Sequence, residues 1–509
     1  MEQRHQLTPE HEAYLLERHG TTDLEPLPSA DPNDPYNWPS WKKNANLTVV
    51  AFQGLTTVLN AAGVIPALPL LMEALGVSVH KATYIIGVNI LFLGIAPLFW
   101  KPFANRFGRR PTWLLATLGS GLLNIGCVYS KSYGTMITFR ILTACFLSPA
   151  LGLGGAVVTE TFFSHQRATK LGIWTVAFTI GPSLGPFLAG FIVYHTNNWQ
   201  WVYWFFVIVS LATFVAALFL CPETLYIRNS PSAQQQLTIK KQYLSLRRID
   251  PAPFTLTEIF QPYVMLLRPS VLLPAASYAV VFCFASPAVS VIIPTAYGEK
   301  FGLNAQQIGL QFLAIMIGAI IGEQVGGFLS DGMMRWKRGA AERRPAEFRL
   351  WASYIGFATA IAGMVEWGVT LQNAPVGWWT VKPDIGLGIL TFGLQVVTTT
   401  LVTYAVDCNH NEAAAVGAAI NQVRQIWSFI GPFWFVPMYE ALGFAKAGGM
   451  MAGLIAAAAL PILALHILAS SRRRGSGVHF EHPDSKPEHQ SVTTKDTGVS
   501  SYVEKVTEA

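Results

Sequence analysis

Charge is scarce in this 509-residue chain, where only 13% of residues are Asp, Glu, Lys or Arg, against about 25% in a typical soluble domain. That shortfall excludes an ordinary cytosolic enzyme. Cysteine is scarce as well. The five present, Cys127, Cys145, Cys221, Cys283 and Cys408, include no C-x-x-C pair, so neither a disulfide scaffold nor a zinc or redox site is expected and all five read as packing residues. The chain has no G-x-x-x-x-G-K-[ST] phosphate loop, and His11-Glu12 is not followed by the second His of a zinc helix. No ATPase, cofactor, metal or enzymatic activity is therefore expected, and any pumping must draw on an ion gradient or a partner. No cleavable signal peptide is expected, because the first apolar run starts near Leu47 and is long enough to span a membrane. The net charge of +6 hints at nucleic acid, but the basic residues sit in short loops between apolar runs, where membrane topology accounts for them. No nucleic-acid partner is expected.

Apolar residues are what the chain has in excess: 51% are hydrophobic and the mean hydropathy is +0.37. At about 20 residues per membrane-spanning helix, this supply is enough for about twelve spans. Apolar runs fall at 47–70, 83–102, 112–130, 133–158, 171–194 and 201–221, then at 271–294, 308–330, 350–370, 385–406, 413–438 and 447–468. The expected fold is an all-α polytopic membrane protein, with the lipid bilayer itself as a partner. Its parts are a cytoplasmic N-terminal segment (1–46), a six-helix bundle (47–221), a cytoplasmic central loop (222–269), a second six-helix bundle (270–470) and a disordered cytoplasmic tail (471–509). With the N-terminus inside, 28 of the 35 Lys and Arg residues lie on the cytoplasmic side and five on the other, leaving Arg140 and Arg424 inside spans. Such asymmetry implies an even number of spans with both ends inside. The sequon Asn46-Leu47-Thr48 is then cytoplasmic and unglycosylated.

The fifth span carries Gly172, Gly181, Gly185, Pro186, Ala189 and Gly190, a spacing that gathers small residues on one helix side beside a proline. Small faces let helix backbones approach closely in lipid, and Pro leaves a carbonyl for neighbours or water to satisfy. Plain helix packing would produce the same pattern. The spacing nevertheless resembles the antiporter motif of the twelve-span drug:proton antiporters in the major facilitator superfamily, with Ala189 in place of one Gly. Lys101 to Pro111 is similar to that superfamily's loop between helices 2 and 3. It keeps Arg106, Gly108, Arg109 and Arg110, but has Lys101 for a Gly and Asn105 for an Asp. Gly327 to Asp331 resembles the matching loop of the second half, where Asp331 is present. Further segments resemble a fungal branch that includes polyamine and cation carriers and toxin exporters: Asp34 to Trp38, Pro222-Glu223-Thr224, Arg344 to Leu350, and Asn421 to Trp427 with Gly431 to Trp434.

The resemblance implies two six-helix bundles around a central cavity, and export of hydrophobic or amphipathic small molecules in exchange for protons. Ionisable residues inside spans are the default functional candidates. Arg140 falls in a stretch that resembles the family's R-x-x-x-G motif, linked to proton transfer, with Ala144 and Cys145 where the Gly belongs; it is either functional or structural. Glu323 and Arg424 form an acid–base couple in the second half, serving either proton coupling or a permanent salt bridge. Glu160 is expected in a cytoplasmic charge cluster. Substrate contacts are expected from Asn60, Asn89, Gln395, Tyr404, Asn421, Gln422 and Trp427. Two other functions compete: a proton-coupled importer of a polyamine, cation or nutrient, and a non-transporting membrane sensor. A monomer at the plasma membrane is expected, with the vacuolar membrane as the alternative.

Overall fold

In lipid a backbone must satisfy its own hydrogen bonds, and a chain of apolar runs without closed-barrel periodicity does so as helices. The computed structural model describes residues 8–226, 249, 254–335 and 346–476, and no strand occurs among them. The chain divides into two units, Met1–His466 and Ile467–Ala509. In the second unit the described residues are helical as far as Ser476, past the boundary expected at residue 470. The remainder of the tail, and with it the expectation of disorder, lies outside the described residues.

The N-terminal segment is more structured than its polarity implies. It forms a helix, α1 (Pro9–His19), capped by the Thr8 side chain and ended by Gly20. The first span, α2 (Ser40–Ala62), begins seven residues before the expected Leu47 and continues after a break as α3 (Leu68–Leu75). The second is a bent pair, α4 (Val79–Ile95) and α5 (Pro97–Phe107), turning by 41° where Pro97 enters the chain and removes a backbone donor. The third is α6 (Arg109–Val128), and the fourth divides at Pro149 into α7 (Tyr133–Leu147) and α8 (Pro149–Thr161). The fifth, α9 (Ser164–Thr196), is continuous through Pro182 and Pro186, and α10 (Gln200–Leu220) completes the first bundle.

The central stretch holds a helix that was expected to be loop, α11 (Leu256–Leu266). The second bundle comprises α12 (Pro269–Cys283) and α13 (Val289–Phe301) joined through a π-helical turn, α14 (Ala305–Arg335), α15 (Leu350–Asn373), α16 (Lys382–Asp407), α17 (Ala413–Ile430) and α18 (Phe435–Ser476). The expected span 413–438 is thus interrupted by a 3-10 turn at Gly431–Phe433, and α18 itself breaks at Gly443, whose φ of 71° suits only glycine well. Among the described residues, ten helices are long and apolar enough to cross a membrane, eleven if the bent pair is one span. Helix α17, which carries Asn421, Gln422, Arg424 and Gln425, is not among them.

Three cysteines pack as expected, with Cys127, Cys221 and Cys283 buried. Cys145 is half-buried and Cys408 exposed, and none of the five is in a disulfide.

Candidate functional site

A cavity of about 880 Å³ lies between the bundles, within the range that suits drug-sized ligands. Its two walls differ. From α2, α4 and α9 come Val58, Ala61, Ile90, Leu93, Val176 and Phe178, relieved by Thr175, Thr179 and Ser183. From α12, α14, α16 and α17 come Glu323, Gln324, Gln395, Thr399, Arg424 and Gln425, with Tyr278 and Phe282 beside them.

The glycines of the fifth span mark where helices approach closely around this chamber. A methyl group on Gly185 would lie 2.6 Å from the Leu59 carbonyl oxygen, and one on Gly181 would collide with Val58, so these two let α9 seat against α2. Gly190 performs the same role between bundles: its added carbon would sit 2.6 Å from the Ala305 carbonyl oxygen and 3.0 Å from the Gly309 Cα of α14. Pro186 lies beside that crossing, its carbonyl 3.1 Å from the corresponding position on Gly309. On the other flank, α4 meets the end of α17, where the Tyr84 and Phe433 rings approach to 4.6 Å. At the opposite end, the lining reaches Leu171 and Gly172 on α9 and Phe328 and Asp331 on α14, close to the termini of both helices. Gly172 has open space around it. The cavity therefore extends toward the end that carries Arg106, Arg109 and Arg110.

Those arginines are tied into a network. Arg106 makes a two-pronged pair with Glu258 of α11, at 2.6 and 2.9 Å, and its guanidinium lies 4.6 Å from the Phe254 ring. Arg109 pairs with Glu160 at 2.7 Å and donates to Asn105 Oδ1 at 2.7 Å, so the expected charge cluster around Glu160 is present. Asn105, standing where the family has Asp, acts as a neutral acceptor. Arg110 donates to the carbonyls of Ala217, Leu218 and Cys221, which end α10, a favourable place for a cation. Glu223 accepts the backbone N–H groups of Arg109 and Arg110 at 2.8 and 3.0 Å, and that of Leu225. Burial nevertheless pushes its carboxyl up, against those hydrogen bonds and with the nearby Glu160 charge. Gly108, at φ 104°, leaves the room this needs, since a side chain there would strike Glu223. In the second half, Asp331 and Asp407 both bind Arg349, at 2.8 and 2.6 Å.

Arg140 lies elsewhere. Fully buried, it donates to Asn60 Oδ1 at 2.9 Å and to the carbonyls of Asn60 and Ala61 at 3.2 Å. Those carbonyls end α2, so the negative end of a helix supplies its counter-charge. Asn89 donates to the Arg140 carbonyl at 3.1 Å, and Asn60 to Asn124 at 3.3 Å. Arg140, Asn60 and Asn89 thus form a polar knot behind the cavity wall. Of the expected substrate contacts, Gln395 lines the cavity; Asn60, Asn89, Tyr404, Asn421, Gln422 and Trp427 do not. Tyr404 is buried, Asn421 accepts from Arg424, Gln422 donates to Tyr263 of α11, and Trp427 faces outward at 41% exposure. Glu323 and Arg424 do share the cavity, but no salt bridge joins them among the described residues. Contacts that the sequence reading missed include Tyr278 and Phe282, whose i, i+4 spacing was a usable signal, and the aliphatic wall, which nothing distinguishes from lipid-facing residues.

Residues 50–432 match the Major Facilitator Superfamily. The efflux pump radE of Floropilus chiversii is 23% identical, over 85% of this chain and 81% of its own length. A cycloheximide resistance protein of Candida maltosa is 24% identical, over 82% and 77%. The structure of the E. coli xylose transporter XylE, in a partially occluded inward-open conformation, superposes with a TM-score of 0.62 at 13% identity, covering 84% of this chain and 98% of that one, a likeness of fold alone. The motif glycines, the two-walled central cavity and these matches converge: the chain belongs to the major facilitator superfamily and is a multi-pass membrane transporter, not an enzyme.

Proposed function

We propose that this transporter exports hydrophobic or amphipathic small molecules from the cytoplasm in exchange for protons, at the plasma membrane. The observation that carries the reading is a chamber whose lining extends to the basic end, with a carboxylate, Glu323, in its polar wall. Basic loops mark the cytoplasmic side, so the lining extends toward the compartment from which an exporter loads. Relatives named as an efflux pump and a drug-resistance protein agree with that direction. Alternating access then requires the contacts at Gly190 and at Tyr84–Phe433 to separate while the basic ends close, by rocking of one bundle against the other. Glu323 is the group in the lining that can bind and release a proton without a fixed ion-pair partner. One chain contains the whole chamber, so a monomer suffices.

Purified protein in proteoliposomes, with an imposed pH gradient and a panel of amphipathic drugs, fungal metabolites and polyamines, tests the reading. Proton movement opposite to substrate is expected, and Glu323→Gln abolishes that movement while leaving substrate binding measurable. Co-directional flux with a polyamine, lost in Glu323→Gln, would instead establish a cation importer, the reading that Glu323 also favours.

A further inference from the structure

Glu323 and Arg424 line one chamber, and neither has an opposite charge within 4.0 Å among the described residues. They differ in what they can do about it. A carboxylate in an apolar chamber can discharge itself by taking up a proton, whereas a guanidinium stays charged at any pH a cell reaches. A charge held partly out of water without an opposite partner is costly, so an incoming anion would be favoured beside Arg424, which lies half-buried in the lining.

Its surroundings hold the guanidinium without neutralising it. Nη1 donates to the Tyr278 hydroxyl at 3.0 Å and Nη2 to Asn421 Oδ1 at 2.7 Å, both neutral acceptors. The buried Nε proton has no acceptor. Phe282, one turn beyond Tyr278 on α12, places its ring centroid 4.5 Å from the guanidinium carbon, and Tyr278 places its own at 5.8 Å. A fixed, aromatic-flanked cation without an anionic partner thus faces a chamber whose opposite wall is largely apolar. Asp331, the other acid in the lining, is already bound to Arg349.

We propose that Arg424 anchors the acidic group, a carboxylate or sulfonate, of an amphipathic organic anion whose apolar body lies against the wall formed by α2, α4 and α9. The assignment rests on the transport reading of this cavity and holds for either direction of flux. It converts the polar half of the chamber from general wetting into a site of defined charge.

The test is equilibrium binding to the full-length protein in detergent, by calorimetry against empty micelles, using 2-naphthylacetate, its primary amide and 2-naphthylethylamine. The wild type is expected to favour the acid over the amide by at least about tenfold, the scale of one hydrogen bond to a charged group. Arg424→Gln should erase that preference while keeping amide affinity, and Arg424→Lys should retain part of it. Glu323→Gln, which removes a negative charge from the chamber, should leave acid affinity equal or raise it, and this variant serves if Arg424→Gln fails to fold. Equal affinity for acid and amide in the wild type, a preference for the amine, or an acid preference surviving Arg424→Gln would each overturn the assignment. Amide or amine binding without acid preference would leave the transport reading standing, whereas acid preference without substrate-linked proton flux would sink that reading and not this one.

Discussion

The glycines of the fifth span do not all have the same job, although they belong to one motif. Gly172 faces open space beside the cavity, while Gly185 touches the backbone of α2. Gly172→Ala is therefore expected to hold or raise stability, by up to about 1 kcal/mol, because alanine is the better helix former. Gly185→Ala, with a carbonyl 2.6 Å from the new methyl, is expected to cost about 1–3 kcal/mol as overpacking. Thermal unfolding of the two purified variants in detergent separates them, and equal losses would contradict this division of roles. The same scale explains why the sequence exposed Arg140, Glu323 and Arg424 but not their duties. An ionisable residue in an apolar run is conspicuous, yet whether it meets a helix end, a cavity or an aromatic pair depends on residues that are 80 positions away for Arg140 and Asn60, or 146 for Arg424 and Tyr278.

At the scale of elements, two of the segments that resemble the fungal branch, Asp34 to Trp38 and Pro222-Glu223-Thr224, prove to be connectors at the basic end. Asp34 accepts the backbone N–H of Tyr36 at 3.1 Å, and the Tyr36 hydroxyl donates to the Thr159 carbonyl at 2.5 Å, which fastens the N-terminal segment to the end of α8. Pro222-Glu223-Thr224 caps α6 through Glu223 and binds Glu160 through Thr224 at 2.7 Å. Helix α11 links the halves, since Glu258 holds Arg106 of the first bundle while Tyr263 accepts from Gln422 of the second. Hydrogen bonding from Arg106 holds the Glu258 carboxyl below its ordinary range, against burial. A depressed carboxyl contributes stability above its unfolded-state pKa, near 4.3, and loses it as pH falls through the lower folded value. The stability difference between wild type and Glu258→Gln, about 2 kcal/mol for a hydrogen-bonded pair with one buried partner, should accordingly be flat from pH 7 to about 5 and shrink below about 4. Unfolding midpoints measured across that range check it, and a difference that grows in acid would contradict the pairing. The connector was invisible beforehand because an 11-residue helix next to polar chain gives too short a periodic signal to separate from loop.

For the whole molecule, the halves meet at a few close crossings at the end away from the arginines. Gly190 lies against Gly309 there, and Tyr84 against Phe433. Packed interfaces are bistable and do not deform continuously, so a wedge at one crossing should shift the population between states. Gly190→Leu is expected to increase labelling of a Ser183→Cys reporter, which lines the cavity, by a membrane-impermeant maleimide added from the external side. In the parent protein, labelling should come from the cytoplasmic side. Unchanged sidedness in a folded Gly190→Leu protein would show that this crossing does not gate the chamber.

The sequence by itself determined the class and plan of the protein. Scarce charge and repeated apolar runs leave helices in lipid as the solution, because desolvating a backbone carries the same penalty in any fold. The motif around Gly181 to Gly190 and the loop at Arg106 to Arg110 identified the superfamily without coordinates. What only the tertiary structure decided is which polar residues face the chamber. Along a helix surrounded by lipid and other helices, apolar residues occupy every side, so periodicity no longer separates core from exterior. Gln395 and Asn421 look alike as isolated amides in apolar spans, but the crossing of α16 and α17 with their neighbours points one into the cavity and sets the other against Arg424.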